Sequence, residues 1–369
     1  IAFLNWWVMT TVIKTIGSAG GRDYSTITAW EADLTNAGVY SSGDEAVGDC
    51  YKDSNFDESF TIDDTSFTIA DNIKLKAASG QEHDGTPDSG VKITYSGTIG
   101  NASTVWTVAY TAGTHGNKKV KIEGLEFADI SNSQDIIMYL LGLGTLNTIF
   151  SRCLVNNIKT TNSSPKSFNV FKNGQASINN SMVFNCGKSS TSNSVNGTSV
   201  AFVFSNSTNS QVYNCIAHNI YDKTPSASSQ GAVYGEYKNV IITSVNECFK
   251  LVSGSSNNNN ISSDSSAPGS SSMTGKTSSE LYVSTTEGSE DLHSKSKSPG
   301  LRKGIDLGTT DDVQYDIDNF DRDSTGSIWD IGADQCNECT PDIGGSPNSK
   351  LTLSYMIGQE LSGFSLADF

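Results

Sequence analysis

Ile122-Glu-Gly-Leu125-Glu-Phe127-Ala-Asp-Ile130, Phe150-Ser-Arg-Cys153-Leu-Val155-Asn-Asn-Ile158, Asn180-Ser-Met182-Val-Phe184-Asn-Cys186 and Val212-Tyr-Asn-Cys215-Ile-Ala217-His-Asn-Ile220 are one short phrase written four times. Val245-Asn-Glu-Cys248-Phe249 is a fifth, weaker copy. Aligned, Leu125, Cys153, Met182, Cys215 and Cys248 form one column, recurring every 28 to 33 residues. Phe127, Val155, Phe184 and Ala217 form a second, and Ile130, Ile158 and Ile220 a third. A repeat of this period marks a solenoid, propeller or array. Each phrase alternates apolar and polar residues as a half-buried strand does. The gaps hold Gly, Asn, Ser and Thr, which favour turns, without the apolar spacing of a packing helix. A lone strand cannot bury its face, but windings stacked about 4.8 Å apart close a continuous core. The expected fold is all-β: a right-handed single-stranded parallel β-helix (solenoid) with a short N-terminal capping helix and a C-terminal extension. A propeller is the alternative, but the blade signatures are missing.

Composition agrees. Of 369 residues, 36% are hydrophobic and 17% charged, and turn formers fill the difference. A net charge of −16 excludes a basic nucleic-acid-binding surface. No apolar run is long enough to span a membrane, and Ile1-Ala-Phe-Leu-Asn-Trp-Trp-Val8 lacks the basic region and cleavage site of a signal peptide. Met9 is read as the natural start. Cys153, Cys215 and Cys248 are expected as small buried core residues. Cys336-Asn-Glu-Cys339 is half a zinc site at most, so a surface disulfide or free thiols is expected.

Residues 1–13 form an N-terminal arm and 14–335 the solenoid, with regular coils over 120–253 and loop-rich coils over 254–335. Residues 336–369 are a linker and docking tail. Thr28 with Glu31 makes a capping box, and Ile27, Trp30 and Leu34 keep helical spacing, which predicts a helix over 26–35 covering the open end. Strands are expected at Thr11–Ile16, Phe67–Ile69, Ile73–Leu75, Val91–Ile93, Val105–Val108 and Leu281–Val283. Asn156, Asn157, Asn185, Asn214 and Asn219 fall at bends, where Asn tolerates left-handed backbone and stacks into ladders. Asp53, Asp57, Glu58, Asp63 and Asp64 are read as solvated loop charge rather than a cation site.

The Gly-rich turn before Asp23-Tyr-Ser-Thr-Ile27 and the Trp-containing helix after it resemble the entry to right-handed β-helix proteins of the pectate-lyase-like superfamily, of the phage and marine-microbe type. Ser298-Pro-Gly-Leu-Arg-Lys-Gly304, Tyr315-Asp-Ile-Asp318-Asn-Phe-Asp321-Arg322 and Trp329-Asp-Ile-Gly332-Ala-Asp-Gln335 resemble their closing segment, with Asn319 where that pattern has Gly. The resemblance frames residues 14–335 and implies fold far more than activity.

Asp316, Asp318, Asp321 and Asp323 are candidate calcium ligands. The alternative is that Asp318 or Asp321 pairs with Arg322 to fix the last turn. No other cofactor is expected. Glycan-cleaving β-helices use paired carboxylates, or a calcium-bound cluster with a base. Glu123, Glu126, Asp129, Asp222 and Glu236 are the carboxylates to hand, and no two recur at matching offsets. His218, a lone histidine, reads as structural. No catalytic residue is assigned. Tyr213, Tyr221, Tyr234 and Tyr237 are candidates for stacking sugars. Trp6, Trp7, Tyr355, Phe364 and Phe369 make both termini look like assembly arms. The expected function is therefore a structural, assembly-forming protein, such as a phage virion component (head decoration, fibre or spike). It would sit on a virion or extracellular surface and contact itself, other virion proteins or a glycan. A polysaccharide lyase or glycoside hydrolase, and a non-catalytic glycan-binding protein, are the alternatives.

Overall fold

The computed structural model describes residues 10–97, 105–111, 118–132, 136–143, 148–160, 168–173, 176–188, 198–204, 210–222, 228–250, 256–325, 328–336 and 338–339. The chain is all-β with few, short helices, and it builds three long parallel sheets consistent with a solenoid. Successive windings add one strand to each sheet. The first sheet runs from Thr11–Ile16 through Glu45–Cys50, Asn72–Ala77, Lys119–Glu123, Thr148–Ser151, Ser177–Asn179 and Gln211–Tyr213 to Glu236–Lys238. The second passes through Glu126–Ala128, Leu154–Asn156, Met182–Lys188, Ile216–Asp222 and Ile241–Thr243. The third includes Trp106–Thr111, Phe168–Asn173, Thr198–Phe204 and Glu247–Lys250.

Like residues stack between the sheets. Leu75, Ile122, Phe150, Ile178, Val212 and Tyr237 are register partners on the first sheet. Ile93, Phe127, Val155, Val183, Ala217 and Ile242 are partners on the second. Aromatic rings thread the interior from Trp106 through Phe127, Phe150 and Phe171 to Phe202, with neighbouring centroids 4.8 to 5.7 Å apart. Such contacts add to the burial of each ring.

The repeat alignment is corrected at three places. The corner column runs Leu125, Cys153, Ser181, Cys215, Val240, as the ladder hydrogen bonds show. Met182 lies one position later and pairs with Leu154 and Ile216, while Phe184 pairs with Asn156 and His218. Cys248 belongs to the third sheet, beside Gly231, and Cys186 pairs with Ile220 in the third column. All five unpaired cysteines are buried, and Cys336 is bonded to Cys339.

Met182 and Phe184 are nonetheless buried, because the outer face of the second sheet is covered. Leu154, Met182, Ile216, Ile241 and Ile261 form an outward apolar stripe, against which Leu281, Tyr282, Leu292, Ile317, Ile331 and Ala333 pack. Each fully buried side chain there contributes roughly 1.5–3 kcal/mol. The cover contains an antiparallel hairpin, Tyr282–Thr286 with Ser289–Ser294. From residue 303 to 319 the chain runs down the corner between the first and second sheets. Lys303 O accepts from Asn259, Ile305 O from Asn239, Val313 O from Asn214 and Asp312 O from Asn180. These four asparagines all have φ between 48° and 56°, the left-handed region that Asn tolerates.

At the other end, Thr26 rather than Thr28 caps helix Ile27–Ala32, accepting from Ala29 N–H. The Thr28 N–H and hydroxyl donate to Glu58, which also takes Ile27 N–H. The strand expected at Phe67–Ile69 does not form: Asp64–Phe67 is a 3₁₀ turn capped by Asp63, and residues 68–69 are a bend. The rest of the acidic loop is likewise engaged: Asp53 with Arg22 at 2.6 Å, and Asp57 with Ser96. Strand Thr11–Ile16 places the start of the first sheet before residue 14. Trp6, Trp7, Tyr355, Phe364 and Phe369 lie outside the described residues. No helix among the described residues is long and apolar enough to cross a membrane.

Candidate functional site

A polar groove of about 580 Å³ runs along the second sheet's far corner. Asp129, Asn157, Asn185 and Asn219 form its floor, one per winding, with φ of 50° to 56°. Asn157 donates to Asp129, and Asn219 donates to Asn185 at 2.8 Å. Asn185 in turn donates to Glu290 of the hairpin. Lys92 bridges Asp88 and Asp129. The walls are Asp88, Lys159, Glu287, Glu290 and the half-buried Tyr221. Gly187 lets the Tyr221 strand approach: a Cβ there would lie 1.9 Å from Tyr221 O. The floor is held by backbone geometry and ladder bonds, so it is ordered before any ligand arrives.

On the first sheet's outer face, Lys74, Lys121 and Arg152 converge on Glu123, Lys121 at 3.1 Å and Arg152 at 2.6 Å. Burial works to raise the Glu123 carboxyl, but Lys121, Lys74 and Arg152 outweigh it and hold it at about 2. Lys121 also reaches Asp312 at 2.8 Å. This knot ties strand to cap. Glu126 is buried and accepts from Asn156 and Asp88 N–H; burial raises its carboxyl.

The four tyrosines do not form one platform. Tyr237 is 0% exposed, with its ring edge on Phe249, so it has no face for a sugar. It shares the inward column of Val212, which the polar residues around it concealed. Tyr213 donates to Glu236 on the first sheet's outer side, under Lys238. Tyr234 sits at a corner with φ 59° and packs on the core. Only Tyr221 lines the groove.

The four aspartates diverge as well. Asp316 is buried and accepts from the N–H groups of Asp318, Phe320 and Gln335. Asp321 accepts from Gln314 and Asp323 N–H, and Asp323 from Trp329. Arg322, fully buried, donates to the carbonyls of Gly332 and Ala333 and faces Asp316, Asp330 and Asp334. Asp318 instead meets His293 at 3.0 Å, a partner 25 residues away that no sequence pattern indicated. His218 is buried, 2.9 Å from Thr243 Oγ1 and edge-on to Tyr282. Burial pushes its imidazole down to about 4.

No family model, no curated protein and no solved structure matches the chain.

Proposed function

We propose that this chain is a right-handed parallel β-helix of the pectate-lyase-like kind, and that it serves as a structural protein of a virion or extracellular surface whose side groove holds a carbohydrate chain without cleaving it. The groove carries the reading. The amides of Asn157, Asn185 and Asn219 can donate to and accept from sugar hydroxyls or their bridging waters, the carboxylates of Asp88, Asp129, Glu287 and Glu290 accept from them, and Tyr221 offers a ring to a pyranose face. Binding of neutral, amino and acidic oligosaccharides to an array, followed by calorimetry on Tyr221→Ala, tests it. The expected result is a loss of about tenfold in affinity or more, with no new reducing ends. Absence of binding to every glycan class overturns carbohydrate recognition. New reducing ends or unsaturated products favour the lyase or hydrolase alternative instead.

A second observation supports self-assembly. Among the described residues Thr11–Ile16 is the terminal strand of its eight-stranded sheet; Tyr24 bridges its Ile16 end, and Ile13 is 55% exposed. An exposed apolar edge strand is a template for a second copy. Sedimentation of the full chain beside Ile13→Lys and beside a chain lacking residues 341–369 tests this. An oligomer weakened by either change agrees with assembly, and a monomeric full chain contradicts it.

A further inference from the structure

We propose that His293, Asp318 and Asp334 form a binding site for a zinc-class divalent ion that staples the C-terminal cover to itself. The three residues come from the hairpin, the turn after Tyr315 and the last segment of the cover. Their ligand atoms all lie within 4.8 Å of one another, and His293 Nε2 stands 3.0 Å from Asp318 Oδ1. Tetrahedral zinc with bonds of about 2.0–2.1 Å separates its ligands by roughly 3.4 Å, so small side-chain movements close the set on an ion.

Three further features fit a built site. Asp291 Oδ1 lies 2.5 Å from His293 Nδ1, the arrangement in which a carboxylate orients an imidazole so that its other nitrogen faces a metal. Asp334 is 5% exposed and has one oxygen, Oδ2, on Ser294 N–H at 2.8 Å. No hydrogen bond to its other oxygen is formed among the described residues. The loop before Pro87 is shaped to the cluster: a Cβ on Gly85 would stand 2.5 Å from His293 Nε2 and 3.1 Å from Asp318 Oδ1. One imidazole with two carboxylates favours zinc and its first-row neighbours over calcium, which prefers six to eight oxygens. The sequence-based calcium expectation rested on Asp316, Asp318, Asp321 and Asp323; of these only Asp318 belongs to the set.

The test is calorimetric titration of the full, oxidised chain with Zn²⁺ and, separately, Ca²⁺, with thermal melts alongside. The expected result is one Zn²⁺ per chain, a melting point raised by zinc and not by calcium, and loss of both effects in His293→Gln and in Asp334→Asn. Asp334→Asn keeps an acceptor for Ser294 N–H, and circular dichroism verifies that each variant is folded. No zinc binding by the wild-type chain overturns the proposal without reference to any variant. Zinc binding that survives both substitutions overturns it too, since it places the ion elsewhere on the chain.

Discussion

Asn239 is where the cover hangs on the solenoid, and replacing it tests that attachment. Its side chain is fully buried. It donates to Asn214 Oδ1 at 2.9 Å and to Ile305 O at 2.8 Å, and it accepts from Ile305 N–H at 2.8 Å. Its φ is 56°. Asn239→Ala leaves the Ile305 N–H and C=O without these partners, at about 1–3 kcal/mol for each stranded group. It also puts a Cβ-bearing residue without a compensating amide into left-handed backbone, at about 1–2 kcal/mol. Together the loss is roughly 3–8 kcal/mol. Asn239→Gly removes the same bonds but relieves the backbone, so it costs about 1 kcal/mol less than the alanine. Asn219→Gly, in the open groove with one ladder bond to Asn185, costs only about 1 kcal/mol. Urea unfolding followed by circular dichroism, with exchange of the Ile305 amide, measures all three. Asn239→Ala within about 1 kcal/mol of wild type, with Ile305 still protected, refutes the reasoning.

His218 and Glu123 each make the fold sensitive to acid, in separate windows, while Asp316 and Asp330, raised by burial to about 7 and about 6, act in the opposite direction. Neutral His218, with its pKa depressed to about 4 by burial against the opposing pull of Glu290, contributes stability that is fully present above the unfolded value of about 6.5 and is lost as pH falls toward 4. The ceiling is about 3 kcal/mol. Glu123, held at about 2, contributes above about pH 4.5 and is lost between there and pH 2. The stability difference between His218→Gln and wild type should therefore change by up to about 3 kcal/mol between pH 6.5 and 4, with the slopes from His83, Asp316 and Asp330 common to both proteins. A difference that stays constant contradicts the assignment. Met182→Ala should cost about 2–5 kcal/mol because the cover seals it, whereas Ile13→Ala in the monomer should stay within about 0.5 kcal/mol; equal effects in urea melts would place Met182 at the surface.

The windings were legible because Phe127, Val155, Ala217 and the isoleucine column recur at strand spacing. Register was legible only where one face is polar. Across Ser181-Met182-Val183-Phe184, both faces are buried, and a doubly covered strand shows a near-continuous apolar run instead of alternation. The larger Met182 and Phe184 were therefore read inward, while the small Ser181 and Val183 hold those places. Tyr237 was misplaced for a related reason: an aromatic among Glu236, Lys238 and Asn239 looks exposed, and only its partner Val212 shows that it points inward. Asn157, Asn185, Asn214 and Asn219 stand at bends in left-handed backbone, and Asn219 stacks on Asn185, whereas Asn156 lies buried in strand Leu154–Asn156 and donates to Glu126; the groove over Asn157, Asn185 and Asn219 needs the hairpin carrying Glu287 and Glu290. That hairpin follows no period, and neither does the pairing of His293 with Asp318.

Successive windings lie in this register, with Val183 inward and Met182 outward. Methyl nuclear Overhauser spectroscopy on selectively labelled protein tests it most directly. The account predicts cross-peaks from the Val183 methyls to Val155 and Ala217, and from the Met182 methyl to Leu154 and Ile216. A Met182 methyl that instead contacts the Phe127 ring, or an absence of cross-peaks between windings, would contradict it.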